Sequence, residues 1–594
     1  MGAFFLFQTD IDIDLSAVEQ VFKRKGFNEI PLRRSLKDWQ LWLYKKQLIE
    51  TRNYIENTDG SAVYATGTLV YKGLGYRESL TKLLHDFKTD SIENDSLLGN
   101  FCLLFWDGLN ITFLSDELNV QHIFVDKKQT RISTSFLALL SSHTQKLKIN
   151  KIGFYEKLAT GYILSPDTLV EDIQRVDNNL KKKLTNNCHG LIWKDGAQVI
   201  NSEFLFHNKG FEDSLERQIL ALKSYFQQVD TIHNEYHGEL GLSGGYDSRL
   251  LLASANSFLS TPLALHTHNT LGVHDYERSV AEEIAQLKNL QIHSIETKHI
   301  EKQIPDQVQN ILLEGLYFFD GRCSYDMGAY SETYTGSYKK RVLGNNRLSF
   351  NGMGGEIFRN HYFTSKKPFN TMEWMKAHLY YYYTDEAFSD PQVFQQLHFN
   401  IVSKIGKRLQ ADINQTMSFF DMRRYYSEVR MPDCDGNNHN AQNQIAFYLT
   451  PFIEFMIVRE AIMATPYIGP HSKYQAELIR HLDPALASIQ SHYGFSFDRI
   501  PLSHMAYSLI RGHIPDKFWN LSHKYLKKRG RGKDLLQAYN IFTKSCNYLN
   551  AIEVSFSDFF PSFNWQAAIC ENTQKATTVF LASFLHEFSN KISC

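Results

Sequence analysis

The sequence predicts an α/β protein divided into more than one domain, and three observations carry that expectation. The chain has 594 residues, and hydrophobic cores stop growing at roughly 250–300 residues, so a chain of this length divides. Its first third consists of short alternating or apolar runs broken by Gly, Asp and Asn, the pattern of antiparallel strands. From about residue 211 strands alternate with amphipathic helices, which requires a parallel sheet with crossover helices.

In chain order, AFFLF, SAVYATGTLVY, GNFCLLFWD, NITFLSD and HIFVD read as strands of an α+β sandwich domain over residues 1–205. TDSIENDSLLGN reads as a helix entering the strand FCLLFWD, and DNNLKKKLTNN as a solvated hairpin rim before the strand pair HGLIWKD and GAQVINSEF. FEDSLERQILALKSYFQQVDTI then carries apolar residues at helical spacing. It is followed by the strand GELGLS, a glycine turn, the helix SRLLLASANSFL, the strand LALHTH, the helix DYERSVAEEIAQLKN and the strand LQIHSIET. This parallel-sheet domain is expected over residues 211–505. Past about residue 365 long amphipathic helices with aromatic faces take over, and residues 506–594 are expected to form a helical C-terminal extension. A basic run, YLKKRGRGKDLL (Tyr525–Leu536), interrupts them.

Composition excludes several classes. Hydrophobic residues at 43% and charged residues at 21% are close to globular averages, which argues against disorder and fibrous structure. A net charge of −1 argues against a protein that grips nucleic acid or anionic membrane over a wide face. The seven cysteines are scattered without a CxxC pair, which suits a reducing compartment. MGAFFLFQTDIDIDL has no basic segment before its short apolar run and is not a signal peptide. No stretch approaches the ~18 apolar residues of a membrane helix, so a cytoplasmic protein is expected. The 31 Tyr and 42 Phe, clustered in runs such as LYYYYTDEAF, read as core and helix packing.

GELGLSGGYDSRLLLA places Ser243-Gly244-Gly245 between a strand and a helix. Adjacent glycines permit left-handed backbone and let successive amides approach a ligand. With the first turn of the helix, those amides make an anion hole. The Asp247 carboxylate would repel bare phosphate but suits a magnesium ion bridging phosphate oxygens; Ser243 and Ser248 add hydroxyl donors. The turn has neither the GK[ST] ending of a Walker loop nor a GxGxxG spacing.

Gly241–Ser248 resembles the pyrophosphate loop of the N-type ATP pyrophosphatases, which cleave ATP between the α and β phosphates and leave an adenylated substrate. Three further stretches resemble the asparagine synthetase branch of that family. NGMGGEIFRNHYF (Asn351–Phe363) is similar to its second glycine-rich loop, with Glu356 at the acidic position. TPFIEFMIVREAIMATP (Thr450–Pro466) is similar to its P-F-L-D segment, and KYQAELIRHLDPALASIQSHYGF (Lys473–Phe495) to its closing helix and loop. Upstream, SLLGNFCLLFWDGLNITFLSDELNVQHIFVDKKQTRISTSFLALL resembles the branch's class II glutaminase-like domain, with Gly99, Asp107, Asp116 and Ser133 at matching places, and FYEKLATGYILSPDTLVEDIQRV continues it. The resemblance spans roughly residues 1–505. It implies ATP and Mg2+ as cofactors, with Leu242, Ser243, Gly244, Gly245, Asp247, Ser248, Thr267, Asn351 and Gly352 at the nucleotide and Asp247 and Glu356 at the metal.

Departures shape the expected mechanism. The family's glutaminase uses an N-terminal cysteine as nucleophile and its own α-amine as base; here Gly2 stands in that place, and the first cysteine is Cys102. The chain is in this respect nearer to lasso-peptide cyclases and β-lactam synthetases, which lack the cysteine and use an amine already present in the substrate. Ile357 stands where the family often has a second acid. His492 stands where the closing loop usually offers a lysine, and a histidine can carry positive charge beside phosphate. Lys473 and the run Lys527, Lys528, Arg529, Arg531 and Lys533 are alternative sources of that charge. Tyr325, Asp326 and Glu332 in GRCSYDMGAYSETY are candidate bases for an attacking amine, so the expected catalytic set is Glu356, His492 and Tyr325. MPDCDGNNHN (Met431–Asn440) matches no zinc or EF-hand spacing and reads as a polar loop.

The expected function is an ATP-dependent, AMP-forming ligase that joins a small-molecule or peptide carboxylate to an amine without glutamine hydrolysis. The alternatives are a non-catalytic nucleotide- or partner-binding relative and an ammonia-dependent asparagine synthase. Neither nucleic acid nor membrane is an expected partner, and a homo-oligomer is compatible with the sequence.

Overall fold

The computed structural model describes residues 2–186, 191–194, 210–270, 276–297, 305–323, 332–362, 364, 367–380, 383, 387–388, 390–470, 472–514, 518, 547–570 and 574–594. It is an α/β protein: a sandwich of two sheets, then a parallel sheet flanked by helices. Among these residues no helix is long and apolar enough to cross a membrane.

The first sandwich sheet contains β1 (Ala3–Gln8), β2 (Leu32–Leu36), β3 (Trp39–Tyr44), β8 (Phe124–Asp126), β9 (Arg131–Ser133) and β11 (Ile173–Arg175), in the order β11-β8-β9-β1-β3-β2. The second contains β4 (Tyr54–Glu56), β5 (Ala62–Tyr71), β6 (Leu97–Trp106), β7 (Ile111–Ser115) and β12 (Leu191–Lys194), in the order β12-β7-β6-β5-β4. AFFLF is apolar at every position because both faces of β1 are covered. Phe4 and Leu6 join Leu41, Tyr64, Leu104 and Phe113 in a core that draws on both sheets. Phe5 and Phe7 face the opposite core, with Val21, Phe22 and Trp42.

The third sheet holds β13 (Gly238–Gly241), β14 (Ala264–Thr270), β15 (Ile292–Thr297), β16 (Leu348–Phe350) and β19 (Phe447–Leu449). Its order is β15-β14-β13-β16-β19, and every neighbouring pair is parallel. The chain builds outward from β13 on one side through β14 and β15, then returns to the other side for β16 and β19. The strand order therefore reverses between β13 and β16, the position at which open parallel sheets take up ligands in a crevice beside the carboxyl ends of the strands.

Toward the C-terminus, the helices Asn547–Phe559 and Gln574–Glu587 fold back onto the first half of the chain. Phe560 lies 5.1 Å from Phe154 and Phe584 lies 6.0 Å from Phe136. β20 (Ile592–Ser593) pairs in parallel with β10 (Leu147–Lys148). Two further short strands, β17 (Phe369–Asn370) and β18 (Thr416–Met417), pair antiparallel beside the helical segments.

Three local expectations are corrected. TDSIENDSLLGN holds only a single 3-10 turn, Asn94–Ser96, before β6 begins at Leu97; its Ser, Asn and Asp side chains compete with helical hydrogen bonds. The lysine-bearing stretch is a helix, Asn178–Asn186, not a hairpin rim. Asp177 caps it by accepting from Leu180 N at 2.8 Å, and Leu180 and Leu184, one turn apart, are buried in the sandwich core. Met431–Asn440 is helical and not a polar loop: Asp433, Cys434 and His439 are buried within the π-helical turn Tyr425–Asp435 and the helix Gly436–Asn443.

Glu454 joins the two halves, accepting the Gly99 N–H of β6 at 2.9 Å. It lines a cavity of about 270 Å³ with Asp95, Asp116, Glu117 and Arg459. Burial pushes its carboxyl up to about 8; the Gly99 N–H opposes this, and Asp116 and Glu117 add to it. A carboxyl that keeps its proton to about pH 8 when folded, but only to its ordinary 4.5 when unfolded, makes stability fall as pH rises between those values. Glu454→Gln keeps the acceptor and removes the charge. Its thermal midpoint is expected to exceed the parent's at pH 9, with the two converging toward pH 4.5; equal midpoints at pH 9 would refute this.

Candidate nucleotide site

β13 ends at Gly241, and the chain turns through Leu242–Gly245 into the helix Tyr246–Phe258. Leu242 N anchors the turn by donating to His266 O of β14 at 2.8 Å. Ser243 Oγ and Ser248 Oγ lie 3.0 Å apart, Ser243 N donates to Ser248 Oγ at 3.1 Å, and Gly245 N donates to Ser243 Oγ at 3.3 Å. No side chain caps this helix, so its first amides face the crevice at the positive end of the helix dipole.

The first glycine of the pair is required for a different reason from the one expected. Gly245 has φ −88°, and neither Gly244 nor Gly245 is left-handed. What Gly244 provides is close approach: a Cβ there would lie 3.1 Å from His492 Cβ, closer than side-chain contacts ordinarily come, whereas one on Gly245 would meet His492 Cε1 at 3.4 Å, an ordinary van der Waals contact. His492 thus rests on the loop. Its amide donates to Gly244 O at 3.4 Å, and its Nδ1 lies 3.8 Å from Glu277 Oε1.

The second loop leaves β16 at Phe350. Asn351 N donates to Leu449 O at 3.0 Å, and Asn351 Oδ1 accepts from Met353 N at 2.8 Å. The loop then touches the first one through glycine. A Cβ on Gly352 would lie 3.0 Å from the Asp247 carbonyl carbon, and one on Gly355 2.2 Å from Asp247 Oδ1. Gly354, at φ +90°, makes the bend that turns Glu356 toward Asp247.

Asp247 Oδ1 accepts from Gln475 Nε2 at 2.7 Å, and Asp247 Oδ2 lies 3.1 Å from Arg359 Nη2. Glu356 Oε2 accepts from Tyr426 OH at 2.7 Å, and Glu356 Oε1 lies 3.3 Å from the same Arg359 nitrogen. Burial, and secondarily Glu356, raise the Asp247 carboxyl above its ordinary value against the pull of Arg359. At Glu356 burial acts in the same direction, but Arg359, His361 and the Tyr426 hydroxyl prevail and hold its carboxyl low. Burial lowers the neighbouring His361 to about 4, so that ring is neutral at physiological pH.

Two hard carboxylates converging on one point would suit a magnesium ion that draws its remaining oxygens from a polyphosphate. Among the described residues, no group of three His, Cys, Asp or Glu could hold a metal alone. This pair would depend on the nucleotide to complete the shell.

The structure brings Leu242, Ser243, Gly244, Gly245, Asp247, Ser248, Asn351, Gly352, Glu356 and His492 to this crevice. Thr267 is buried on β14, one residue past His266. Lys473 lies over the Phe211 ring at 5.3 Å and Glu332 pairs with Arg341 at 3.3 Å. Tyr325, Asp326 and the basic run Lys527–Lys533 lie outside the described residues.

Sequence reasoning missed four residues. Arg359 follows Glu356 by three positions, in reach once a tight turn is assumed. Gln475 stands two positions past Lys473, on the opposite side of the helix Lys473–Leu482, and is fully buried. Tyr426 carries no local signal. Arg249, fully buried one turn into the helix after the loop, donates to Leu486 O at 3.1 Å and Ile489 O at 2.7 Å and so ties the His492 segment down.

No family model matches the chain, and no curated protein matches it. Among solved structures it is similar to the glutamine-dependent NAD+ synthetase from Acinetobacter baumannii in complex with adenosine diphosphate. That match has 13% identity and a TM-score of 0.16, and it covers 59% of this chain and 74% of the other. A likeness of that size carries no inference about this chain.

Proposed function

We propose that the chain is an ATP-dependent, AMP-forming ligase that adenylates a small-molecule or peptide carboxylate and passes the acyl group to an amine. The observation that carries this reading is the glycine-mediated contact of the two loops at the strand-order reversal, which joins Asp247 to Glu356 beside an uncapped helix N-terminus.

In the first step a substrate carboxylate oxygen attacks the α phosphorus, the bond from that phosphorus to the bridging oxygen breaks, and pyrophosphate leaves. The amides and hydroxyls of Ser243–Ser248 receive the leaving group. A magnesium ion held by Asp247 and Glu356 would neutralise phosphate charge. His492, packed on Gly244 and Gly245, adds positive charge there when protonated. In the second step an amine nitrogen attacks the acyl carbon, AMP departs with the C–O electron pair, and the nitrogen loses a proton to a base, with Tyr325, Asp326 and Glu332 as candidates. The protein's work is orientation and charge stabilisation.

The amine is supplied without glutamine hydrolysis. Gly2 supports this reading: it stands at the place of the nucleophile in the glutaminases this segment resembles, and a Cβ there would lie 2.3 Å from Lys45 O.

The test is a thermal-shift titration with ATP and Mg2+, followed by product analysis over a panel of carboxylates and amines that includes aspartate with ammonium. Stabilisation by nucleotide and carboxylate-dependent release of AMP and pyrophosphate are expected. Formation of ADP would overturn the reading. Nucleotide binding with no cleavage by any pair would favour the non-catalytic alternative.

A further inference from the structure

Asp247 and Glu356 each commit one oxygen to a neutral donor, Gln475 Nε2 and Tyr426 OH, both at 2.7 Å. Each presents its other oxygen to one and the same atom, Arg359 Nη2, at 3.1 and 3.3 Å. Two carboxylates oriented independently onto a single point make a seat for a shared cation. Its occupant is a guanidinium with one positive charge facing two negative ones. Arg359 Nη1 donates to Gln475 Oε1 at 3.2 Å, and its side chain is 14% exposed, so the group is fixed and largely desolvated.

Building on the nucleotide reading, we propose that Arg359 is an exchangeable occupant of this seat. A divalent cation arriving with ATP displaces the guanidinium, which then pairs with the phosphates. Charge balance drives the exchange in that direction. A divalent ion neutralises both carboxylates, whereas Arg359 leaves one negative charge uncompensated. Once the ion is in place, the guanidinium cannot stay beside it without an anion of its own, and the nucleotide supplies one in planar, bidentate form. The exchange gives the site the cation that His492 in place of lysine does not guarantee. It also couples metal binding to nucleotide binding, because without phosphate the metal must displace a buried guanidinium that has nowhere to go.

The test uses MnCl2 alone on the purified full chain, with free Mn2+ followed by electron paramagnetic resonance. Arg359→Gln is expected to bind Mn2+ at least tenfold more tightly than the parent without nucleotide. Asp247→Asn combined with Arg359→Gln is expected to remove that gain. Should Arg359→Gln fail to fold, Arg359→Met serves instead: it keeps most of the side chain's apolar bulk and removes the positive charge, and tighter Mn2+ binding is again expected. Unchanged or weaker Mn2+ affinity in a folded variant overturns the exchange. Tighter Mn2+ binding in a chain that never releases pyrophosphate upholds the seat and overturns only the ligase reading.

Discussion

Asp247→Asn is expected to lower ATP-dependent pyrophosphate release by ~10²–10³-fold, the cost of removing one preorganised electrostatic group from a phosphoryl-transfer site, while the chain stays folded. The substitution is nearly isosteric. The side-chain oxygen of asparagine still accepts from Gln475 Nε2, and Arg359 keeps its pairing with Glu356. What is lost is the negative charge that faces the cation seat, at the one carboxylate on the nucleotide-side loop. Alanine would confound the result, because it also removes the hydrogen bond that orients Gln475. The measurement is AMP and pyrophosphate formation with the best substrate pair, alongside a thermal midpoint within a few degrees of the parent. Turnover equal to the parent's would remove Asp247 from the mechanism and with it the metal role of the pair.

How much of this site the sequence discloses depends on how local each contact is. The strand, glycine turn and helix around Ser243 are contiguous, so the change of period and the paired glycines reveal them. The parallel sheet follows from the same change of period, and β13–β16 take up the positions that alternation requires. The reason for the glycines was not legible. For Gly244 it lies in His492, more than two hundred residues away in the chain, whose Cβ and backbone nitrogen crowd the space a Cβ would fill. Gln475 and Tyr426 orient the two carboxylates across 228 and 70 positions, and nothing in their neighbourhoods marks them. Where local composition misled, tertiary packing overrode it. Three consecutive lysines look like a solvated rim, but Leu180 and Leu184 bind that helix to the sandwich and bury Lys181 with it. MPDCDGNNHN looks polar because its charges are visible in the sequence and their partners are not.

Those partners support the second large effect. Asp433→Ala is expected to destabilise the chain by about 3–5 kcal/mol, the usual cost of stripping one member from a buried ion pair. The Asp433 side chain is 0% exposed and pairs with two guanidiniums, that of Arg175 and that of Arg408 at 2.7 Å, while also accepting from Ser165 N at 3.1 Å. Arg175 belongs to β11 of the sandwich, Arg408 to the last turn of the helix Pro391–Leu409, and Asp433 to the π-helical turn that also carries Tyr426. One carboxylate therefore joins three elements distant in sequence, and its removal leaves two largely buried cations facing each other. Burial alone would raise this carboxyl, but Arg408 and Arg175 outweigh it and hold it below its ordinary 3.8. A carboxyl so lowered contributes its full stability above the unfolded value near 3.8 and loses it only as pH falls through the lower folded value. The deficit of Asp433→Ala is accordingly expected to be the same at pH 6 and pH 8 and to shrink below about pH 4. Thermal midpoints across that range measure it, with Asp433→Asn as the control that keeps shape and one acceptor and is expected to lose less. A loss under ~1 kcal/mol, typical of exposed ion pairs, would mean that water reaches the cluster and that it does not clamp these elements together.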